Sequence, residues 1–239
     1  MISETADELR TIALSCTDAA GNFPAMYSRV TSQIARSIAA GQFEDGERMN
    51  TFATVFASRY TTAWHHEVPR PKCWQASWDV SGDDHLLIVQ HLLLGINAHV
   101  NYDLPQAVVD VARRTGDLEH VRADFDAVNN VLAATSVGVL RDLDRMSRWV
   151  GEAASLGGAR VFRFSLRVAR DQAWAAAERL YVLDNDQQQA YVRELDRLVS
   201  VLAYLIVHPA FPASLLVPVA RRLEQHDPRI VTAALLGDQ

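Results

Sequence analysis

The feature that most restricts the fold of this chain is the helical spacing of its apolar residues. From Asp117 to about Gly151 they recur every three or four positions, the period of one long amphipathic helix: Val121, Phe125, Val128, Leu132, Val139, Leu143, Met146 and Val150. Shorter segments of the same period occupy about residues 22–41, 45–65, 105–114, 159–183, 186–207 and 213–225. The 239 residues include only 11 Gly and 8 Pro. We therefore predict an all-α, single-domain helical bundle of about eight helices.

None of the breaks between these segments is a linker long or flexible enough to divide the chain. We expect one helical domain over residues 1–239, with a core at about 22–208 and peripheral terminal segments, the last of them frayed. Gly157 and Gly158 mark a clear break. The polar stretch after Pro69 predicts a long connection containing Trp74 and Trp78, which would cover an edge of the core or line the mouth of a pocket.

Composition limits the possible partners and compartments. The net charge is −6 and no basic stripe stands out, so nucleic acid is not expected as a partner. The acidic N-terminus lacks an apolar signal region, and the longest apolar stretch near the C-terminus, Leu198–Val207, is interrupted by Ser200 and too short to span a bilayer. Two isolated cysteines, Cys16 and Cys73, favour a reducing cytoplasmic setting and leave a disulfide possible. The broad apolar stripes also permit a homodimer.

The segment with the most unusual polar residues is HLLLGINAHVNYDLP, residues 91–105. On a helix, His91, Gly95, His99 and Asp103 follow one slowly drifting face, because successive members are 40° apart at 100° per residue. A second face is apolar and a third carries Asn97 and Asn101. We predict a central helix whose imidazole, amide and carboxylate groups need partners or a ligand.

His99 and Asp103 are the strongest candidates for chemistry, because side chains at i and i+4 meet on adjacent turns. They could chelate a divalent ion such as Zn, Mn or Fe, and His66 and Asp124 are the candidates for completing the metal site. His91 would then be a further ligand or a general base. A structural alternative makes Asp103 the N-cap of a helix that starts near Pro105, with Gln106 completing a capping box.

Other residues are candidates for substrate binding. Asn97 and Asn101 could orient a substrate, and Trp74 and Trp78 could supply apolar walls. Two arginines could be buried anchors for an acidic ligand, although arginine beside an aromatic ring is also a common packing arrangement. These pairs are Arg59 with Tyr60, and Arg170 with Trp174.

Several of these segments together resemble one uncharacterised bacterial family, catalogued as domain of unknown function 5995. The resemblance covers about residues 23–207, and its most specific part is HLLLGINAHVNYDLP. The other segments that carry it are Phe43-Glu-Asp-Gly-Glu-Arg-Met, Phe56-Ala-Ser-Arg-Tyr, Asp124-Phe125 with Asn129, and Arg170 with Ala173-Trp174. The resemblance implies a single helical domain and implies no activity.

A second, weaker similarity is to the zinc-dependent phospholipase C and single-strand nuclease group. Gly95, His99 and Asp103 match the Gly-x3-His-x3-Asp spacing on the metal-binding helix of those enzymes. The further histidine expected ten residues after the first is Val109 here, and the N-terminal tryptophan of that group is absent. The similarity implies a divalent metal site at His99 and Asp103.

Three functions remain open from the sequence. The first is a metal-dependent hydrolase or lyase that acts on a small molecule. The second is a metal-free cyclase or isomerase in which His91 and His99 exchange protons and Asp103 fixes a tautomer. The third is a non-catalytic protein that binds a ligand or a partner, with the polar residues forming a buried network. Motifs for serine hydrolysis and nucleotide binding are absent.

Overall fold

The computed structural model describes residues 1–147, 149 and 159–237, with only the backbone of residues 159–164 and 213. Within these residues the fold is all-helical, and it contains ten helices if α5, the π-helical turn and α6 are counted as the continuous helix they form. The elements are α1 (Ile2–Ser15), α2 (Asn22–Ala39), α3 (Gly46–Trp64), α4 (Lys72–Asp79), α5 (Ile88–Ala98), the π turn (His99–Asp103), α6 (Leu104–Thr115), α7 (Glu119–Met146), α8 (Ala159–Val182), α9 (Asn185–Val207), α10 (Ala213–Arg221) and α11 (Pro228–Leu236).

Local sequence signals account for the ends of several helices. The Asp45 carboxylate accepts hydrogen bonds from the backbone N–H groups of Glu47 and Arg48 and so caps the start of α3. Asp184 forms a reciprocal capping box with Gln187 at the start of α9. At the end of α6, Gly116 adopts φ +126°, a backbone conformation that favours glycine.

The helix made of α5, the π turn and α6 lies at the centre of the structure. Its residues contribute to all three groups of buried apolar side chains: Leu92 to one with α7 and α11, Ala98 to one with α1–α4, and Leu104 to the largest, with α3, α7 and α8. The predicted central helix therefore joins the parts of the core, as α1 and α2 also do.

The π turn has a local cause in the sequence. Proline lacks a backbone N–H, so Pro105 cannot donate the usual helical hydrogen bond, and its ring crowds the preceding turn. The backbone widens instead, and the N–H of Leu104 bonds to the carbonyl of His99, five residues earlier. Single π turns inside α-helices occur frequently at functional sites. His99 and Asp103 are the first and last residues of this turn.

Three sequence predictions need correction. The chain after Pro71 is not a long connection, because Trp74 and Trp78 lie in helix α4. The C-terminal segment is not frayed, because α11 forms and its Leu235 is fully buried. The count of about eight helices is too low for the same two reasons. The predicted end of the long helix near Gly151 and the break at Gly157 and Gly158 lie outside the described residues.

Helices α9 and α10 expose several large apolar side chains: Leu198, Val201, Leu202, Tyr204, Leu205, Leu215, Leu216 and Val219. Despite this surface, none of the helices in the described part of the chain has the length and apolarity needed to cross a membrane. The homodimer permitted by the sequence stays a prediction.

Candidate functional site

The centre of the candidate site is a buried His99–Asp103 pair. The Nδ1 atom of His99 lies 3.0 Å from Oδ2 of Asp103, and both side chains are almost fully buried. The indole N–H of Trp74 donates to the same oxygen at 3.0 Å. Asp103 stands at the N-cap position of α6 with Pro105 in the first turn, as the structural alternative predicts, but the capping box does not form, because the Asp103 side chain makes no cap hydrogen bond and binds these two groups instead.

Aromatic rings enclose the His99 imidazole on several sides. Phe56 stacks on it with ring centroids 3.7 Å apart and planes 10° apart, and Tyr27 approaches edge-on at 4.4 Å. Burial lowers the pKa of His99 below its usual 6.5, while the hydrogen bond and charge of Asp103 act in the opposite direction. The imidazole is therefore neutral at neutral pH. Nδ1 faces the Asp103 carboxylate oxygen and carries the proton, so Nε2 carries the lone pair.

The Nε2 atom of His99 is buried and has no hydrogen-bond partner among the described residues. Buried polar atoms in proteins are nearly always paired, so an unpaired one requires an explanation. One explanation is a functional role, since a ligand can supply the missing partner.

An apolar cavity of about 260 Å³ adjoins His99. Its walls come from α2, α3, α5, α7 and α8, and the side chains are mostly aliphatic and aromatic; they include Phe52, Phe56, Leu93, Ile96, Val128, Leu132 and Leu166. The described lining residues include no carboxylate, and their ionisable groups are His99, Tyr27 and Arg170. Burial, and then the charge of Asp103, raise the pKa of Tyr27, so its hydroxyl stays neutral. The cavity is suited to an apolar molecule that meets a polar group at few points.

Gly95 allows the close packing that builds this wall. A β-carbon at this position would lie 2.4 Å from the ring of Phe23, a distance that real contacts do not reach. Phe23 itself packs against His99 and Trp74, with ring centroids 5.6 and 5.3 Å away. The glycine of the Gly95, His99 and Asp103 pattern thus has a packing reason for being there, independent of metal binding.

Four of the predicted substrate-binding residues lie outside the cavity lining. Asn97 donates to the carbonyl of Val199 and accepts from Asn101, so the two amides tie α5 and the π turn to α9. Trp74 is fully buried and binds Asp103, and Trp78 stacks on it with centroids 5.4 Å apart. We interpret Trp74 as a positioning residue for Asp103 rather than as a pocket wall.

Arg59 and Tyr60 also lie outside the cavity lining. Arg59 pairs with Asp110 and Gln106 on α6. Tyr60 is fully buried against Trp74, with ring centroids 4.9 Å apart, and its burial raises its pKa. Both residues therefore join α3 to neighbouring helices.

The structure does not group the four predicted metal ligands. No cluster of three or more His, Cys, Asp or Glu side chains suitable for a metal occurs among the described residues. Asp124 accepts hydrogen bonds from Arg48 and from the backbone of Glu44. His66 lies at the exposed end of α3 beside Arg70. Only His99 and Asp103 are adjacent.

His91 lines a different cavity, of about 190 Å³, together with Asp18, Asp83 and Arg221. Burial and then the charge of Arg221 lower the pKa of His91 to about 4, although Asp83 and Asp18 oppose this. His91 is therefore neutral at physiological pH. The structure does not bring His91 and His99 together as an acid–base pair.

Arg170 on α8 reaches the apolar cavity and is 3% exposed. Its Nε donates to the Asn129 side chain at 2.9 Å, and one terminal nitrogen donates to the carbonyl of Phe125 at 2.7 Å. The guanidinium also lies 4.2 Å from the centre of the Phe125 ring. Burial lowers the pKa of Arg170 to about 10, so the group remains charged at neutral pH.

Comparison with known families supports one of the two resemblances. Residues 2–209 match the family of unknown function DUF5995. The chain belongs to this family. No significant match was found among curated proteins or solved structures. In this DUF5995 protein the matched region includes His99, Asp103 and Arg170, whereas α10 and α11 follow it.

Sequence reasoning missed two features of this DUF5995 site. The first is Phe56, whose ring covers the imidazole face of His99 from another helix, 43 positions earlier in the chain. The second is the cavity itself, which arises where several apolar stripes face one another without filling the space. The stripes were visible in the sequence, but periodicity does not report how completely their side chains interlock.

Proposed function

We propose that this DUF5995 protein is a metal-free acid–base enzyme that acts on a small apolar molecule, with His99 as the proton-transfer group. The observation that carries the proposal is the unpaired Nε2 atom of His99, a residue that lines the apolar cavity and whose Nδ1 is held by Asp103. The reaction class that fits is a cyclisation or isomerisation, in which a proton leaves one atom of the substrate and returns to another.

The environment of His99 suits a general base. In the neutral ring Nε2 offers its lone pair, and the Asp103 carboxylate compensates the positive charge that appears when Nε2 takes a proton. The Trp74 N–H holds that carboxylate in position. An apolar cavity strengthens these electrostatic interactions because it excludes water.

Access to Nε2 requires a small movement of the surrounding rings. The atom is almost entirely covered in the structure. Phe56 and Tyr27 are the nearest rings, and Phe56 also lines the cavity. We propose that an apolar ligand displaces the Phe56 ring and takes its place against the imidazole.

The test uses two probes with the full chain. Indole is a neutral apolar molecule with one N–H donor, and its binding is followed by nitrogen NMR of the labelled histidines. 5-Nitrobenzisoxazole is an activated carbon acid: removal of its C–H proton breaks the N–O bond and releases a coloured phenolate. We expect indole to shift the Nε2 signal of His99. We expect His99→Gln to slow probe elimination at least about a hundredfold.

His91→Asn is the matched control, because His91 lines the other cavity. It should leave probe elimination close to that of the parent protein. The proposal is overturned if indole leaves the His99 signal unchanged up to its solubility limit, or if His99→Gln and the parent protein show equal elimination rates.

A non-catalytic ligand-binding protein is the second candidate. The coverage of Nε2 favours it, because a base that must act repeatedly is usually more accessible. In that case indole would bind without any dependence of probe elimination on His99. Metal dependence is supported only by the adjacent His99 and Asp103, so elemental analysis of untagged protein and His99→Ala would test that alternative directly.

A further inference from the structure

The apolar cavity contains a buried cation in addition to His99. Arg170 is 3% exposed, and among the described residues its hydrogen bonds go to neutral groups, the side chain of Asn129 and the carbonyl of Phe125. The charges of Asp126 and Asp171 favour its charged form from a distance, but neither carboxylate accepts a hydrogen bond from it. A buried charge that no described carboxylate contacts directly is costly, so a cation in this position favours the entry of an anion.

The contacts of Arg170 leave part of its donor set free. Nε and one terminal nitrogen each have a partner, and no hydrogen bond from the other terminal nitrogen occurs among the described residues. The fixed partners on α7 hold the planar group in one orientation. A guanidinium held in this way is pre-organised for a carboxylate, which it can bind through two parallel N–H donors.

The only other ionisable groups described in the lining are His99 and Tyr27, and both are neutral at neutral pH. No described carboxylate lines the cavity and repels an anion. The remaining surface is aliphatic and aromatic. The cavity therefore combines one positively charged group, the Arg170 guanidinium, with an apolar lining.

We infer that the ligand of this cavity is an amphipathic carboxylic acid, whose carboxylate binds Arg170 and whose apolar body fills the space between α2, α3 and α7. This inference rests on the proposed function, in which the same cavity holds the substrate. The volume of about 260 Å³ corresponds to roughly nine water-sized groups at about 30 Å³ each, which favours acids of about eight to ten carbon atoms.

Arg170 also has a structural role, since it connects α8 to α7. A role confined to packing predicts equal binding of acids and their neutral analogues, so the comparison between them separates the two roles. Octanoate and octan-1-ol have the same chain length and differ in the charged group. Their binding to the full-length protein can be compared by titration calorimetry at pH 7.5, where octanoate is ionised.

We expect octanoate to bind at least tenfold more tightly than octan-1-ol. Arg170→Met should lower the affinity for octanoate at least tenfold more than the affinity for octan-1-ol. Arg170→Lys should retain part of the preference, because it keeps the charge and loses the planar fork. Arg179→Met is the matched control: Arg179 is an exposed arginine on the same helix α8 and stands over Tyr191, outside the cavity lining.

The comparison in the parent protein decides the inference even if Arg170→Met fails to fold. Equal affinities for octanoate and octan-1-ol would overturn the inference and leave the proposed apolar cavity intact. Failure of octanoate, octan-1-ol and indole to bind would refute the proposed function together with it. A preference for octanoate that survives in Arg170→Met would also overturn the assignment, because another cation would then hold the acid.

Discussion

The stability of this protein should depend on pH through one buried histidine, His91. The pKa of His91 is about 4 in the folded state and about 6.5 in an unfolded chain. Between these values the unfolded state binds the proton and the folded state does not. The contribution of His91 to the free energy of unfolding is therefore fully present above pH 6.5 and is lost as the pH falls towards 4. The difference between the folded and unfolded pKa values of His91 corresponds to about 3 kcal/mol, at about 1.4 kcal/mol for each pH unit.

Other groups titrate in the same range, so the measurement compares the parent protein with His91→Asn. The free energy of unfolding of each protein is obtained from urea titrations at pH 7.5, 6.5, 5.5 and 4.5. The advantage of the parent protein over the variant should shrink by about 2–3 kcal/mol from the highest pH to the lowest. His85→Asn is a suitable control, because the His85 side chain is exposed.

A difference that stays constant with pH would refute this reasoning, because it would mean that His91 titrates alike in the folded and unfolded chains. A difference that grows towards low pH would refute it more strongly. It would show that Asp83 and Asp18 outweigh burial and Arg221, so that the folded protein binds the proton more tightly than the unfolded chain does.

Two further predictions concern packing and charge. Gly95→Ala should lower the free energy of unfolding by about 1–3 kcal/mol, because the new methyl group collides with Phe23. Gly82→Ala is the control: no described atom lies within 4 Å of the added carbon, so the free energy of thermal unfolding should change by less than about 1 kcal/mol. Equal effects of the two substitutions would contradict the packing argument. Asp124→Ala should cost about 2 kcal/mol in urea unfolding, because the half-buried Arg48 loses its closest carboxylate and keeps the more distant Glu44 and Asp45. Combining it with Arg48→Leu should recover part of that loss, and a larger loss in the double variant would contradict the charge argument.

Helical periodicity predicted most of the fold, and the exceptions have physical causes. The long stripe from Val121 to Met146 does form α7, because an amphipathic helix buries its apolar face in any bundle. Helix α4 was missed because its eight residues include two tryptophans amid polar neighbours, which gives no clear period. Helix α11 was missed because its burial depends on contacts with α2 and α7, far away in the sequence.

The candidate site was only partly predictable for a similar reason. The pair of His99 and Asp103 follows from the i, i+4 spacing, and the structure confirms that the two side chains meet. The Trp74 donor and the Phe56 ring come from other helices, and spacing along one helix carries no information about them. The separation of His91 from His99 was missed because their common face borders two different cavities.

The π turn also determines how this chain can vary in length. Such a turn is equivalent to one extra residue in a regular helix. Deleting one residue between His99 and Asp103 would therefore remove the extra residue, and the apolar face of α6, including the fully buried Val108, would keep its direction towards α3 and α8. The deletion would change the turn itself, because His99 and Asp103 would then be three positions apart instead of four. The extra residue thus sets the geometry of the candidate site rather than the packing of α6.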